Sequence, residues 1–345
     1  MKKNAALLLA LLMICALFSG CTGLTEIHDP ASVISAIPNE DTDWDDEGFI
    51  DIAYLSEGDF VDFAPEMVPL ADTPAVFSIP VPAAPGTAAK KNEKAVIDYS
   101  NAKDGYIMAK YIPSTTKVLK VRITGPSNTN YDYTLKPGDV YEVFPLSDGS
   151  GKYSVGVFEQ ADGNKFATVI TEAVSATLTD EFAPFVRPNQ YVNYNKDSQA
   201  VKKAGELVKD SKTTLDKVSA VYNYVIKNLT YDKEKAKTVK AGYLPDVDAV
   251  LKAGKGICFD YAAVMAAMLR SQNIPTKLVV GYTGEVYHAW LNVYSTESGW
   301  VNSVIQFDGK KWKLMDPTFA SSGNQSKEVM QHIGDGKNYT AKYLY

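Results

Sequence analysis

Few residues in this chain of 345 could carry nucleophilic chemistry, because it holds only three cysteines and three histidines. Cys258 follows Gly256-Ile257 and opens an alanine-dense apolar run that continues to Arg270. A thiol at the first position of a helix meets unpaired N–H groups and the positive end of the dipole, both of which favour thiolate. The backbone N–H of Cys258 could also donate to the oxyanion of a tetrahedral intermediate, and Gly256 lets another backbone approach closely. Asp260, in the same turn, complements the dipole but puts a negative charge near the sulfur, so its net effect on the thiol has no sign readable from sequence. Taken alone, Cys258 reads equally well as a small buried hydrophobe.

A base is sought among His28, His288 and His332. His28 lies in a tether-like stretch and His332 in a polar tail, which leaves His288. In Tyr287-His288-Ala289-Trp290-Leu291-Asn292-Val293, strand alternation puts His288, Trp290 and Asn292 on one face and the more aliphatic residues on the other. Asp316 ends the run Trp312 to Met315 and precedes Pro317, where a carboxylate could orient an imidazole on a neighbouring strand. A hydrogen-bonded structural histidine and a turn-forming aspartate are the bland readings of these two residues. A metal site built from Cys258, His288 and Asp316 has suitable ligand types but lacks the close paired spacing usual for zinc. Nor does any segment follow the calcium-loop pattern. No metal or cofactor is therefore expected.

These residues need elements to position them. Ser198 to Val208, Leu215 to Leu229 and Asp246 to Leu251 have helical spacing, the last ending at Gly254. The Cys258 run is apolar nearly all round and reads as a buried helix that Asn273 and Pro275 stop. Strands are predicted at Lys277 to Tyr282, Tyr287 to Tyr294, Val301 to Phe307 and Trp312 to Met315. Helices, then a Cys-bearing helix, then an antiparallel sheet make an α+β plan over residues 185–345.

Upstream, residues 94–184 alternate short β-branched and aromatic runs with turn signals such as Lys136-Pro137-Gly138-Asp139. A small β-sandwich fits, with neither His nor Cys to do chemistry, so a spacer or binding module is the expected role. Residues 21–93 are acidic and then Pro/Ala-rich, a tether with some extended structure.

Residues 1–20 form an export signal: Lys2 and Lys3 precede an apolar run from Ala5 to Phe18, too short to span a bilayer. Phe18-Ser19-Gly20-Cys21 resembles the bacterial lipobox, which implies lipid on Cys21 and an exported chain anchored to a membrane, facing outside the cytoplasm. Cys15 then leaves with the signal and Cys21 is acylated, so Cys258 remains as a single free thiol in a compartment where thiols oxidise. Hydrophobic residues make up 46% of the chain and charged ones 22%, with a net charge of -6 and no basic stripe, which argues for globular domains and against nucleic acid as a partner.

Taken together, Gly256-Ile257-Cys258 with the helix that follows, Gly281-Tyr282, His288-Ala289-Trp290 and Trp312 through Asp316-Pro317-Thr318 resemble the transglutaminase-like superfamily in order and spacing. The similarity runs from about Phe185 to Phe319 and includes Asn228-Leu229-Thr230-Tyr231-Asp232. It implies a papain-like fold with Cys258 as nucleophile, His288 as general base and acid, and Asp316 as orienting residue. It further implies acyl transfer through a thioester, with water or an amine as acceptor, on a protein or cell-wall peptide. Tyr243 and Trp290 are candidates for the side chain that completes the oxyanion hole. The rival expectation is an anchored binding or scaffolding protein whose C-terminal fold is inactive.

Overall fold

The computed structural model describes residues 79–240, 242–283, 286–296, 299–301, 306–307, 312–313 and 339–345. Cys21, His28, Asp316 and His332 lie outside these residues, as do the signal and most of the tether.

Eight strands come first: β1 (Ala89–Lys91), β2 (Ala95–Asp98), β3 (Tyr106–Tyr111), β4 (Leu119–Thr124), β5 (Asn130–Thr134), β6 (Glu142–Pro145), β7 (Gly151–Asp162) and β8 (Lys165–Ala176). They form two four-stranded sheets, in the orders β1-β2-β3-β6 and β5-β4-β7-β8, with every pairing antiparallel. In β4, alternation buries Leu119, Val121 and Ile123, while Arg122 turns outward to a forked pair with Asp132 at 2.7 and 2.8 Å. The expected turn residues do adopt positive φ, among them Asn128, Gly138, Asp139, Gly149 and Gly163. β1 begins inside the stretch read as tether: its residues pair with β2, and Asp98 and Ser100 hold the backbone of Gly86 and Ala88.

Helices α1 (Gln199–Val208), α2 (Thr214–Asn228), α3 (Lys233–Thr238), α4 (Val247–Ala253) and α5 (Cys258–Arg270) follow. Caps fix where they start. Thr213 and Asp216 form a reciprocal capping box on α2, Asp232 accepts from the Lys235 N–H on α3, and Asp246 accepts from the Ala249 N–H on α4. Gly254, at φ 64°, ends α4 in the left-handed region. All of α5 is buried. Its alanines, Ala262, Ala263, Ala266 and Ala267, let neighbouring elements approach its backbone, and α1, α2, α4 and two strands of the C-terminal sheet pack around it. Asn273, at φ 57°, turns the chain after the helix.

Short β9 (Thr230–Tyr231) and β10 (Lys255–Gly256) pair in parallel just ahead of α5. Then come β11 (Thr276–Thr283), β12 (Val286–Ser295), β13 (Gly299–Val301), the pair β14 (Gln306–Phe307) and β15 (Trp312–Lys313), and β16 (Tyr339–Leu344). The main sheet is antiparallel in the order β13-β12-β11-β16. β16 falls in the stretch that reads as a polar tail, yet it lies beside β11, and the Tyr345 carbonyl accepts 2.6 Å from the buried Arg270 guanidinium. Arg270 also donates to the carbonyls of Thr276 and Arg187, at 2.9 and 2.8 Å. The ring of Tyr345 meets Tyr133 of β5 edge-on at 5.7 Å, so one apolar core runs from the β-rich part into the α+β part.

Candidate active site

Cys258 is the first residue of α5 and is 0% exposed. The residue before it, Ile257, has no side-chain acceptor, so it leaves the first-turn N–H groups of α5 uncapped from its side. The Asp260 carboxylate, also 0% exposed, instead reaches back to accept from the Ile257 backbone N–H at 2.9 Å. It is held from two further directions, by the Lys235 ammonium at 2.6 Å and the Tyr243 hydroxyl at 2.6 Å. The Asp260 charge therefore has a cationic partner, which is the information the sequence lacked.

That arrangement changes the reading of two residues. Tyr243, considered for the oxyanion hole, donates its hydroxyl proton to Asp260 and accepts from Lys235 at 2.6 Å, so its hydrogen-bonding capacity is used in holding the turn. Burial, with the hydrogen bond to Asp260 next, pushes its phenol well above the usual range. Gly256, read as a point of close backbone approach, makes room for the Asp260 side chain: a Cβ there would lie 2.6 Å from the Asp260 Cβ.

His288 lies on β12, opposite Gly281 of β11, and is 0% exposed. Trp290 stacks near it with rings 6.3 Å apart and 22° between planes, which agrees with the alternation read from sequence. Tyr339 of β16 packs edge-on against Trp290 at 5.1 Å and tilted against His288 at 6.4 Å. Ala289, Leu291 and Val293, on the other face of the strand, join the core against which α5 packs. The Cys-bearing helix and the His-bearing strand are thus neighbours. Asp316 lies outside the described residues, and Trp290 belongs to the His288 face.

Tyr231 carried no role in the sequence beyond its place in a matching segment. It pairs with Gly256, two positions before Cys258, and burial first, then electrostatic coupling to Cys258, raises its phenol well above the usual range. A cleft of about 650 Å³ opens elsewhere, between strands of the β-rich part and the start of α4; its lining includes Glu142, Asn193, Tyr194 and Asp246 but neither Cys258 nor His288.

Comparisons with known proteins bear on the same segment. Residues 201–303 match the family model described as the Transglutaminase-like superfamily. The uncharacterized protein YebA of Bacillus subtilis (strain 168) is 34% identical over 116 residues, covering 28% of this chain and 16% of that protein. Among solved structures, a candidate cysteine protease from Cytophaga hutchinsonii is similar at 14% identity and a TM-score of 0.34, over 75% of this chain and 74% of its own. Red sea bream transglutaminase is similar at 13% identity and a TM-score of 0.29, over 66% of this chain and 53% of its own. The segment that carries α5, Cys258 and His288 is the one that matches the transglutaminase-like family model, and it folds as α+β.

Proposed function

We propose that this chain is an extracytoplasmic thiol acyl-transfer enzyme, a cysteine peptidase, amidase or transglutaminase acting on protein or cell-wall peptide. The observation that carries this reading is Cys258 as the first residue of the buried helix of a transglutaminase-like core. In this mechanism Cys258 attacks a carboxamide or peptide carbonyl, and His288 takes the thiol proton and returns it to the departing amine. Asp316 orients the imidazole. Water or a second amine then resolves the thioester, giving hydrolysis or cross-linking. A lipid on Cys21 holds the protein to a membrane, outside the cytoplasm.

The test compares wild type with Cys258→Ala against a mixed peptide library plus amine donors, read by mass spectrometry. Cleaved peptides or amine adducts made by wild type alone support the reading. Identical product spectra from the two proteins sink it.

One observation favours a second reading, an anchored scaffold with an inactive core: Cys258 and His288 are both closed to solvent. Catalysis then requires displacement of whatever covers them. The scaffold reading loses its support if His288→Ala abolishes a measured turnover while the protein stays folded.

A further inference from the structure

We propose that Tyr231 is the side-chain donor to the oxyanion formed when Cys258 attacks a carbonyl, acting beside the Cys258 backbone N–H. This rests on the acyl-transfer reading above and supplies a residue that reading leaves unassigned.

The placement comes from backbone geometry. β9 and β10 run in parallel with Tyr231 beside Gly256, and two bonds lock the register: Thr230 N–H to the Gly254 carbonyl at 3.0 Å and Asp232 N–H to the Gly256 carbonyl at 2.9 Å. Residues side by side in such a ladder send their side chains to the same face. Gly256 has no side chain, but the direction it would take is known, since a Cβ there meets Asp260 in the first turn of α5. Tyr231 therefore projects towards that turn, and half-buried it packs against the core that contains Cys258.

The charges around it are consistent with this placement. Cys258 is the first of the charged influences on the phenol, ahead of Asp260, Tyr261 and Asp232. All of them push in the same direction as burial, so the phenol keeps its proton and remains a donor. The neighbouring cations are engaged elsewhere: Lys235 of α3 is held by Asp260 at 2.6 Å, and Lys255 of β10 by Asp232 at 3.0 Å. Tyr243 is tied to Asp260, which removes it as one alternative donor.

In the step itself, the Cys258 thiol proton passes to His288 and the sulfur forms a bond to the carbonyl carbon. The π pair moves onto oxygen, where the Tyr231 O–H and the Cys258 N–H meet it. When the pair returns, the leaving group departs with its bonding electrons, taking the proton from His288 if it is an amine.

Two small reagents separate this role from general support of the thiol. p-Nitrophenyl acetate acylates through a tetrahedral oxyanion, whereas iodoacetamide alkylates by displacement at a saturated carbon and forms none. Both reactions are followed at Cys258 of the full chain by peptide-resolved mass spectrometry. Tyr231→Phe is expected to slow acetylation on the order of 10²-fold while alkylation stays within about twofold, and Tyr231→Gln, which restores a donor, to recover part of the loss. Equal slowing of both reactions, or of neither, overturns the assignment; because alkylation also reports an intact site, a misfolded variant falls in the first of these. If Cys258 of wild type reacts with both reagents no faster than in the urea-unfolded chain, the acyl-transfer reading itself fails and takes the assignment with it.

Discussion

The ammonium of Lys235 lies 2.6 Å from the buried carboxylate of Asp260, two residues after Cys258 and in the same helical turn. Breaking one side of such a pair strands the other in a place with little water. Asp260→Ala is expected to cost about 3 kcal/mol, towards the lower end for a buried pair because the Lys235 side chain is 26% exposed. Lys235→Met, which strands the fully buried carboxylate, should cost at least as much as Asp260→Ala, and the double variant less than the sum of the two. Urea denaturation of the four proteins gives the coupling directly; strict additivity would mean that the pair does not hold the turn.

Gly281 tests the His288 platform. A Cβ at this position would collide with the Thr340 carbonyl oxygen of β16 and lie 2.8 Å from Cη2 of Trp290. Gly281→Ala should therefore destabilise by about 1–3 kcal/mol through overpacking. It should also change the near-ultraviolet circular dichroism of the Trp290 environment, which a loss confined to a remote site would not do.

Lys277 makes stability depend on alkaline pH. Its ammonium sits 3.9 Å from the Trp300 ring centre and 4.9 Å from that of Phe185, and burial, opposed by the Glu181 charge, lowers its pKa to about 8. A lysine whose folded pKa lies below its unfolded one is penalised while both states are charged, and the penalty is relieved as pH rises from about 8 towards the unfolded value near 10.4. This group alone should raise stability between pH 7.5 and pH 9.5, by about 1–2 kcal/mol on that linkage. Urea midpoints at the two pH values, with Lys277→Met as comparison, read the effect; an equal pH response in both proteins would rule it out.

Arg270 is fully buried and donates to the carbonyls of Thr276, Arg187 and Tyr345, which belong to three separate parts of the chain. Arg270→Met keeps much of the volume but leaves those acceptors without their donor. It is expected to cost about 3 kcal/mol or more, and Arg270→Lys should recover little, since an ammonium cannot copy the planar fork. Thermal unfolding decides it: a lysine variant as stable as wild type would show that charge alone is needed.

Much of the α+β part was legible in advance because its signals are local. The helical period over Leu215 to Leu229, the start at Cys258, the stop after Arg270 and the alternation around His288 each depend on residues near in sequence. What escaped notice depends on distant partners. β1 and β16 have weak patterns of their own, and become strands because β2 and β11 offer edges to pair with. The sign of Asp260's influence could not be read for the same reason, since Lys235 belongs to another helix. Tyr231 sits in an ordinary-looking turn between helices, and only the β9–β10 register sets it beside Gly256. The available clue was the resemblance of Asn228-Leu229-Thr230-Tyr231-Asp232 to the family.

The position of β16 has a consequence for how the chain folds. β11 has β12 on one side, made immediately after it, and β16 on the other, made much later. In the interval the apolar run Leu278-Val279-Val280 presents an unpaired edge, the kind of surface that recruits strands from other molecules. Closing the sheet is a long-range event and therefore slow compared with forming α5 or the β11–β12 hairpin. Yield on refolding should accordingly be limited by self-association at this edge, and the vulnerable species is a nearly complete core awaiting its last strand.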